Sequence, residues 1–94
     1  MNLIVNKKMR FKNLGFVQHP SIKDAIMAQV FTDDGTRISI VCGSGMYSTS
    51  RAGNRAECTS VEDASSFEVF IDGEEDVRCW QTRDDIDKIL AELF

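Results

Sequence analysis

The sequence predicts an α+β fold, a four-stranded antiparallel β-meander with a C-terminal α-helix packed on one face. Two stretches, 25–43 and 66–80, alternate apolar and polar residues on either side of a glycine-containing turn, the period of half-buried strands joined as hairpins. The end of the chain changes to a 3.6-residue apolar period, which belongs to a helix with one buried stripe. With 94 residues, 43% hydrophobic and 28% charged, the composition suits one soluble globular domain with a single core.

In chain order, residues 1–8 (Met1-Asn2-Leu3-Ile4-Val5-Asn6-Lys7-Lys8) read as an extension ahead of a domain spanning 9–94, ordered through a partner or a neighbouring subunit. Their charges follow too short an apolar patch for a secretory signal. No apolar run approaches the roughly 20 residues of a membrane span, so the expected location is the cytoplasm and no membrane partner is expected. Phe11, Leu14 and Phe16 are irregularly spaced and predict a short turn followed by an extended segment. His19-Pro20 ends it, because proline steers the residue before it away from helix, and 18–24 reads as loop.

Ile26, Ala28 and Val30 alternate with Met27, Gln29 and Phe31; after the turn Thr32-Asp33-Asp34-Gly35, Ile38, Ile40 and Cys42 alternate with Arg37, Ser39 and Val41. Phe67, Val69 and Ile71 repeat the pattern, Asp72-Gly73 supplies a turn, and Val77-Arg78-Cys79-Trp80 reads as the returning strand. Thr82 is placed as an N-cap with Asp85 completing a capping box, and Ile86, Ile89, Leu90, Leu93 and Phe94 form the apolar stripe. Asp85, Asp87, Lys88 and Glu92 take the solvent side. A helix of about 13 residues is marginal alone and must lie on the sheet.

Cys42, Cys58 and Cys79 are odd in number and widely spaced, which fits neither a disulfide framework nor a zinc ribbon; Cys42 and Cys79 read as small buried hydrophobes. No metal or other cofactor is expected. The net charge of −4 conceals an asymmetry: residues 1–60 carry eight Lys/Arg against four Asp/Glu, hence +4, and residues 61–94 carry three against eleven, hence −8.

Between the hairpins, residues 43–55 hold three Gly, three Ser and two Arg without an acidic residue. Loops of this length are usually functional or disordered. One reading is a nucleotide or phosphorylated-signal binding module, with Ser48 and Ser50 donating and Arg51 and Arg55 forking onto phosphate, set against a flexible solvated connection. Met46 and Tyr47 in the same loop read as partner-contact anchors. Trp80, beside the helix start, reads as core. The single histidine and the carboxylates carry no catalytic spacing, so no enzyme is expected. Asp72, Glu74, Glu75, Asp76 and Asp84 form an acidic set suited to a basic surface on a partner protein rather than to direct contact with nucleic acid.

The series Met9-Arg10-Phe11-Lys12-Asn13-Leu14-Gly15-Phe16, His19-Pro20, the strand Ile38-Ser39-Ile40-Val41 leading to Gly43 through Tyr47, Phe67-Glu68-Val69-Phe70 and Trp80-Gln81-Thr82-Arg83-Asp84-Asp85-Ile86 resembles a family of small uncharacterised tailed-phage proteins. The similarity covers about 9–90 and departs at the basic Ser-rich stretch 48–55 and the eight leading residues. It implies a phage or prophage origin and a compact α+β fold, and carries no catalytic residue with it. Together these readings predict a small phage accessory protein that binds and inhibits a host protein without catalysis, as an anti-CRISPR or other anti-defence inhibitor does, with self-association a further option.

Overall fold

The computed structural model describes residues 9–94; the expected extension over 1–8 lies outside the described residues. A 3₁₀ turn at Phe11–Asn13 is followed by β1 (Val17–Gln18), β2 (Ala25–Phe31), β3 (Arg37–Gly43), β4 (Thr49–Ser50) and β5 (Gly53–Asn54). A second 3₁₀ turn at Val61–Asp63 leads into β6 (Ala64–Ile71), β7 (Arg78–Gln81) and helix α1 (Arg83–Leu93).

The architecture is α+β, with a seven-stranded sheet in which every pairing is antiparallel. The expected meander of four strands is therefore too small. Its members are the neighbours β2, β3, β6 and β7, and the sheet adds β1 beside β2 and the β4–β5 hairpin beside β6. The added strands are two residues each, too short for alternation to show in a sequence.

The hairpin of β2 and β3 keeps an unbroken register from Ala25↔Gly43 to Phe31↔Arg37. Opposite pairs share a face, so Ile26, Ala28, Ile38, Ile40 and Cys42 point to one side and are buried. Phe67, Val69 and Ile71 of β6 extend that side. Val69 pairs with both Ile40 and Arg78, so β3 and β7 flank β6 on opposite edges. At the turn after β6 the Glu74 N–H donates to the Ile71 carbonyl (3.0 Å), and Gly73 takes the positive φ of 97° that the turn requires.

Helix α1 covers the core side through Ile86, Ile89 and Leu90. Thr82 caps it: its hydroxyl accepts from Asp85 N–H (3.1 Å), and the Asp85 carboxylate accepts from Thr82 N–H (2.9 Å). The stripe ends sooner than its period suggests, because Leu93 and Phe94 are exposed. Asp87, expected on the wet side, is instead half-buried and accepts from Phe11 N–H (2.7 Å), tying the helix to the first 3₁₀ turn.

Phe67 is the fully buried centre, with the rings of Phe11 at 5.3 Å and Phe16 at 5.4 Å. The Arg83 guanidinium lies over Phe11 (5.1 Å) and Phe67 (5.6 Å) and donates to the carbonyls of Ala64 and Val61, both at 2.8 Å. One side chain thus closes the aromatic stack and satisfies the backbone around the start of β6. Cys42 and Cys58 are buried within this core, and Cys79 is half-buried. Burial and the neighbouring Cys42 push the Cys58 thiol up to about 12.

Candidate functional site

The segment expected to be a loop over 43–55 is an internally bonded arch followed by a hairpin. Along β6, Val41 faces Glu68 and Thr49 faces Ser66, so eight steps of chain cover two steps of strand. Six residues, 43–48, are therefore extra to the register with β6, although Gly43 still pairs with Ala25 at the end of β3. Their ends meet, since Gly43 N–H donates to the Ser48 hydroxyl (3.1 Å). Within the arch, Met46 N–H reaches the Gly43 carbonyl (3.0 Å) and Ser48 N–H the Met46 carbonyl (2.8 Å).

From β3 the arch crosses β6 on the face away from the helix. Tyr47 N–H donates to the Glu68 carboxylate (2.9 Å), and Trp80 N–H of β7 donates to the Tyr47 carbonyl (2.9 Å). The β4–β5 hairpin folds against it: Gly45 N–H binds the Arg55 carbonyl (3.0 Å) and Arg55 N–H the Ser48 carbonyl (2.8 Å).

At the top of this knob stand two aromatic rings. Tyr47 and Trp80 pack edge to face at 5.5 Å and remain 39% and 43% exposed. The Trp80 indole N–H donates to the Asn54 amide oxygen (2.8 Å), which fixes the ring. The Arg55 guanidinium lies 4.6 Å from the Tyr47 ring centre and donates to the Gly45 carbonyl (2.8 Å). Trp80 sits at a bulge, where Cys79 and Trp80 together oppose Glu68, and it takes φ +50°. That left-handed backbone costs a bulky residue roughly 1–2 kcal/mol. Arg55 shares it at φ +59°, so two of the three non-glycine residues with positive φ among the described residues belong to the knob.

Several expected site residues are placed differently from the sequence reading. Trp80 is exposed rather than core; strict alternation from Arg78, which faces Val69, would set Trp80 against Phe67, but the bulge gives that place to Gln81, and no glycine or asparagine marks it. Met46, expected as an exposed anchor, is buried beneath the arch, whereas Tyr47 is exposed. The phosphate cradle is not assembled as expected. Ser48 is fully buried and its hydroxyl accepts from Gly43 N–H; Ser50 donates to the Glu57 carbonyl (2.6 Å) and accepts from Ala52 N–H (3.1 Å). Arg51 pairs at 3.6 Å with Asp63, while Arg55 is spent on Tyr47 and Gly45.

The acidic set is partly neutralised. Asp72 meets Arg37 at 3.3 Å, and Glu74 takes a two-point grip from Arg78 (3.1 and 2.6 Å), which lowers the Glu74 carboxyl and raises Arg78. Glu75, Asp76 and Asp84 are exposed. His19, the single histidine, accepts from the N–H groups of Ser21 and Ile22 (3.1 Å each) through Nδ1, which makes it a turn residue. Among the described residues no three His, Cys, Asp or Glu side chains gather as a metal-binding group. No helix is long and apolar enough to cross a membrane among them either.

Comparison with family models, curated proteins and solved structures finds no match for the chain. The fold and the knob define the class of molecule on their own: a small α+β sheet protein that presents a rigid aromatic pair.

Proposed function

We propose that this chain is a non-catalytic binding protein that captures a partner protein through the Tyr47–Trp80 knob. One observation carries the reading. Trp80 is held exposed, in a strained backbone conformation, with its ring fixed by Asn54 and Tyr47. Strain retained at an exposed aromatic is what a pre-formed contact site requires, since the ordering cost is met before the partner arrives. Trp, Tyr and Arg are also the side chains that most often dominate interface energies.

The partner proposed is a host protein with a basic surface, inhibited by occupation of that surface in the manner of an anti-defence protein. The resemblance to phage proteins motivates the host, and the −8 balance of residues 61–94 motivates the basic surface. Glu75, Asp76 and Asp84 are the exposed carboxylates that would steer the encounter.

The test is capture from a bacterial lysate by the whole chain, followed by affinity measurement with the protein captured. Trp80→Ala and Tyr47→Ala are each expected to weaken binding at least tenfold, about 1.4 kcal/mol, with the circular dichroism of the fold retained. The double variant Glu75→Lys/Asp76→Lys is expected to slow association more than it speeds dissociation. Unchanged affinity in both aromatic variants would remove the knob from the interface.

A further inference from the structure

We propose that Cys42 and Cys58 close a disulfide beneath the knob when the chain folds in the presence of a small-molecule disulfide such as oxidised glutathione. Spacing gives the three cysteines no framework, but the fold sorts them. Cys42 ends the buried face of β3 just before the arch, and Cys58 follows the β4–β5 hairpin; both lie in the core, 0% and 1% exposed. Their thiols are in side-chain hydrogen-bond contact. The backbone holds them there, because one carbonyl, that of Asp24, accepts both Ser44 N–H (3.4 Å) and Cys58 N–H (2.9 Å). The Ser50 hydroxyl adds its bond to the Glu57 carbonyl (2.6 Å) at the same place.

The third cysteine is out of reach of Cys42. β3 and β7 lie on opposite edges of β6, so Cys42 and Cys79 are two strand spacings apart, about 9.6 Å. A disulfide tolerates no more than about 7 Å between Cα atoms.

The thiolate is the attacking form. In the folded chain both sulfurs are shut off from solvent, and burial with the neighbouring Cys42 pushes the Cys58 thiol up to about 12. The exchange therefore belongs to the folding chain, while the thiols are still open. One thiolate attacks a sulfur of the oxidant, which leaves a mixed disulfide with glutathione and releases one glutathione. As the fold closes, the second cysteine thiolate displaces the other glutathione and the Cys42–Cys58 bond forms. In sum, two protein thiols and one glutathione disulfide give one protein disulfide and two glutathione thiols, with two electrons passed to the oxidant. The contacts of the Cys42 thiol with the Thr49 carbonyl (3.7 Å) and of the Cys58 thiol with the Ser60 carbonyl (3.2 Å) are weak ones, and the bridge replaces them.

The bridge encloses residues 43–57, the fifteen that carry the arch and the β4–β5 hairpin. Closing such a loop stabilises a fold mainly by restricting the open chain. Because the finished bond is buried, the chain keeps a record of the conditions in which it folded and does not follow later changes. The bond depends on nothing that the knob binds, so it is tested independently of the binding reading.

The experiment unfolds the whole chain in urea with a reductant, then refolds it either with a mixture of reduced and oxidised glutathione or with dithiothreitol alone. Alkylation in denaturant followed by mass spectrometry should count one free thiol in the first case, at Cys79, and three in the second, with a linked peptide joining Cys42 to Cys58. The urea midpoint of the bridged form should be higher by about 1 M or more. Cys79→Ser should bridge as the wild type does, and Cys42→Ala should form no bridge within the chain. Three free thiols after oxidative refolding, glutathione left on the protein in place of the bridge, a bridge that includes Cys79, or a Cys42–Cys58 bond that lowers the midpoint would each overturn the inference.

Discussion

Trp80 shows how two effects of similar size can be separated at one residue. Replacing it with glycine relieves roughly 1–2 kcal/mol of backbone strain. The same change loses the edge-to-face contact with Tyr47, about 0.5–1.5 kcal/mol, and the bond to Asn54. Stability of Trp80→Gly should therefore move by no more than about 1 kcal/mol in urea titration, while partner affinity falls at least tenfold. Arg83 is a simpler case. Lysine keeps its charge but not the two-carbonyl fork or the flat stacking surface over Phe11 and Phe67. Arg83→Lys should cost about 2 kcal/mol, read as a lower urea midpoint with an unchanged slope. Ser66 goes the other way: its buried hydroxyl has no hydrogen-bond partner among the described residues, so Ser66→Ala should be neutral or stabilising.

Among the elements, those with a period were legible and those without one were not. The alternation of Ile26 through Val30 and of Ile38 through Cys42 marked β2 and β3, and the pairing of Thr82 with Asp85 marked the start of α1. β1 and β4 are held by register with the longer strands β2 and β6, and β5 by β4, information that two residues cannot carry. The knob was only half legible. Its location in the Gly/Ser/Arg stretch was visible, but the hydroxyls read as ligand donors are consumed by the arch itself, and Trp80 arrives from another part of the chain through a bulge. Two predictions belong at this scale. Thr82→Ala should cost about 1 kcal/mol and fray the first turn of α1, measurable by amide exchange there. Gly43→Ala should be far more damaging, because a Cβ would run into Ala25 and approach the Asp24 carbonyl to 2.7 Å, with backbone on both sides unable to yield.

For the whole molecule, acid should act through a few carboxylates. Hydrogen bonds from Thr32 and Thr36 lower Asp34, Arg78 lowers Glu74 and Thr82 lowers Asp85. A carboxyl lowered in the folded state favours folding when ionised. Its contribution is complete above the ordinary values, 4.5 for Glu74 and 3.8 for Asp34 and Asp85, and is lost as pH falls through the lowered folded-state values. Urea midpoints measured from neutral pH down to strong acid should therefore hold steady and then drop in that range. Asp85→Asn should be less stable at neutral pH and should flatten the drop.

Because the extra residues of the arch begin and end at bonded neighbours, Gly43 and Ser48, the arch that carries Tyr47 behaves as a cassette set into a strand. A version joining Cys42 directly to a glycine in place of Thr49 should keep glycine opposite Ala25, carry the register on from Glu68 to Ser66 and still fold around Phe67. Cassettes of other lengths and sequences could then be exchanged at that seam. The same seam is the natural entry point for grafting other loop sequences onto this scaffold.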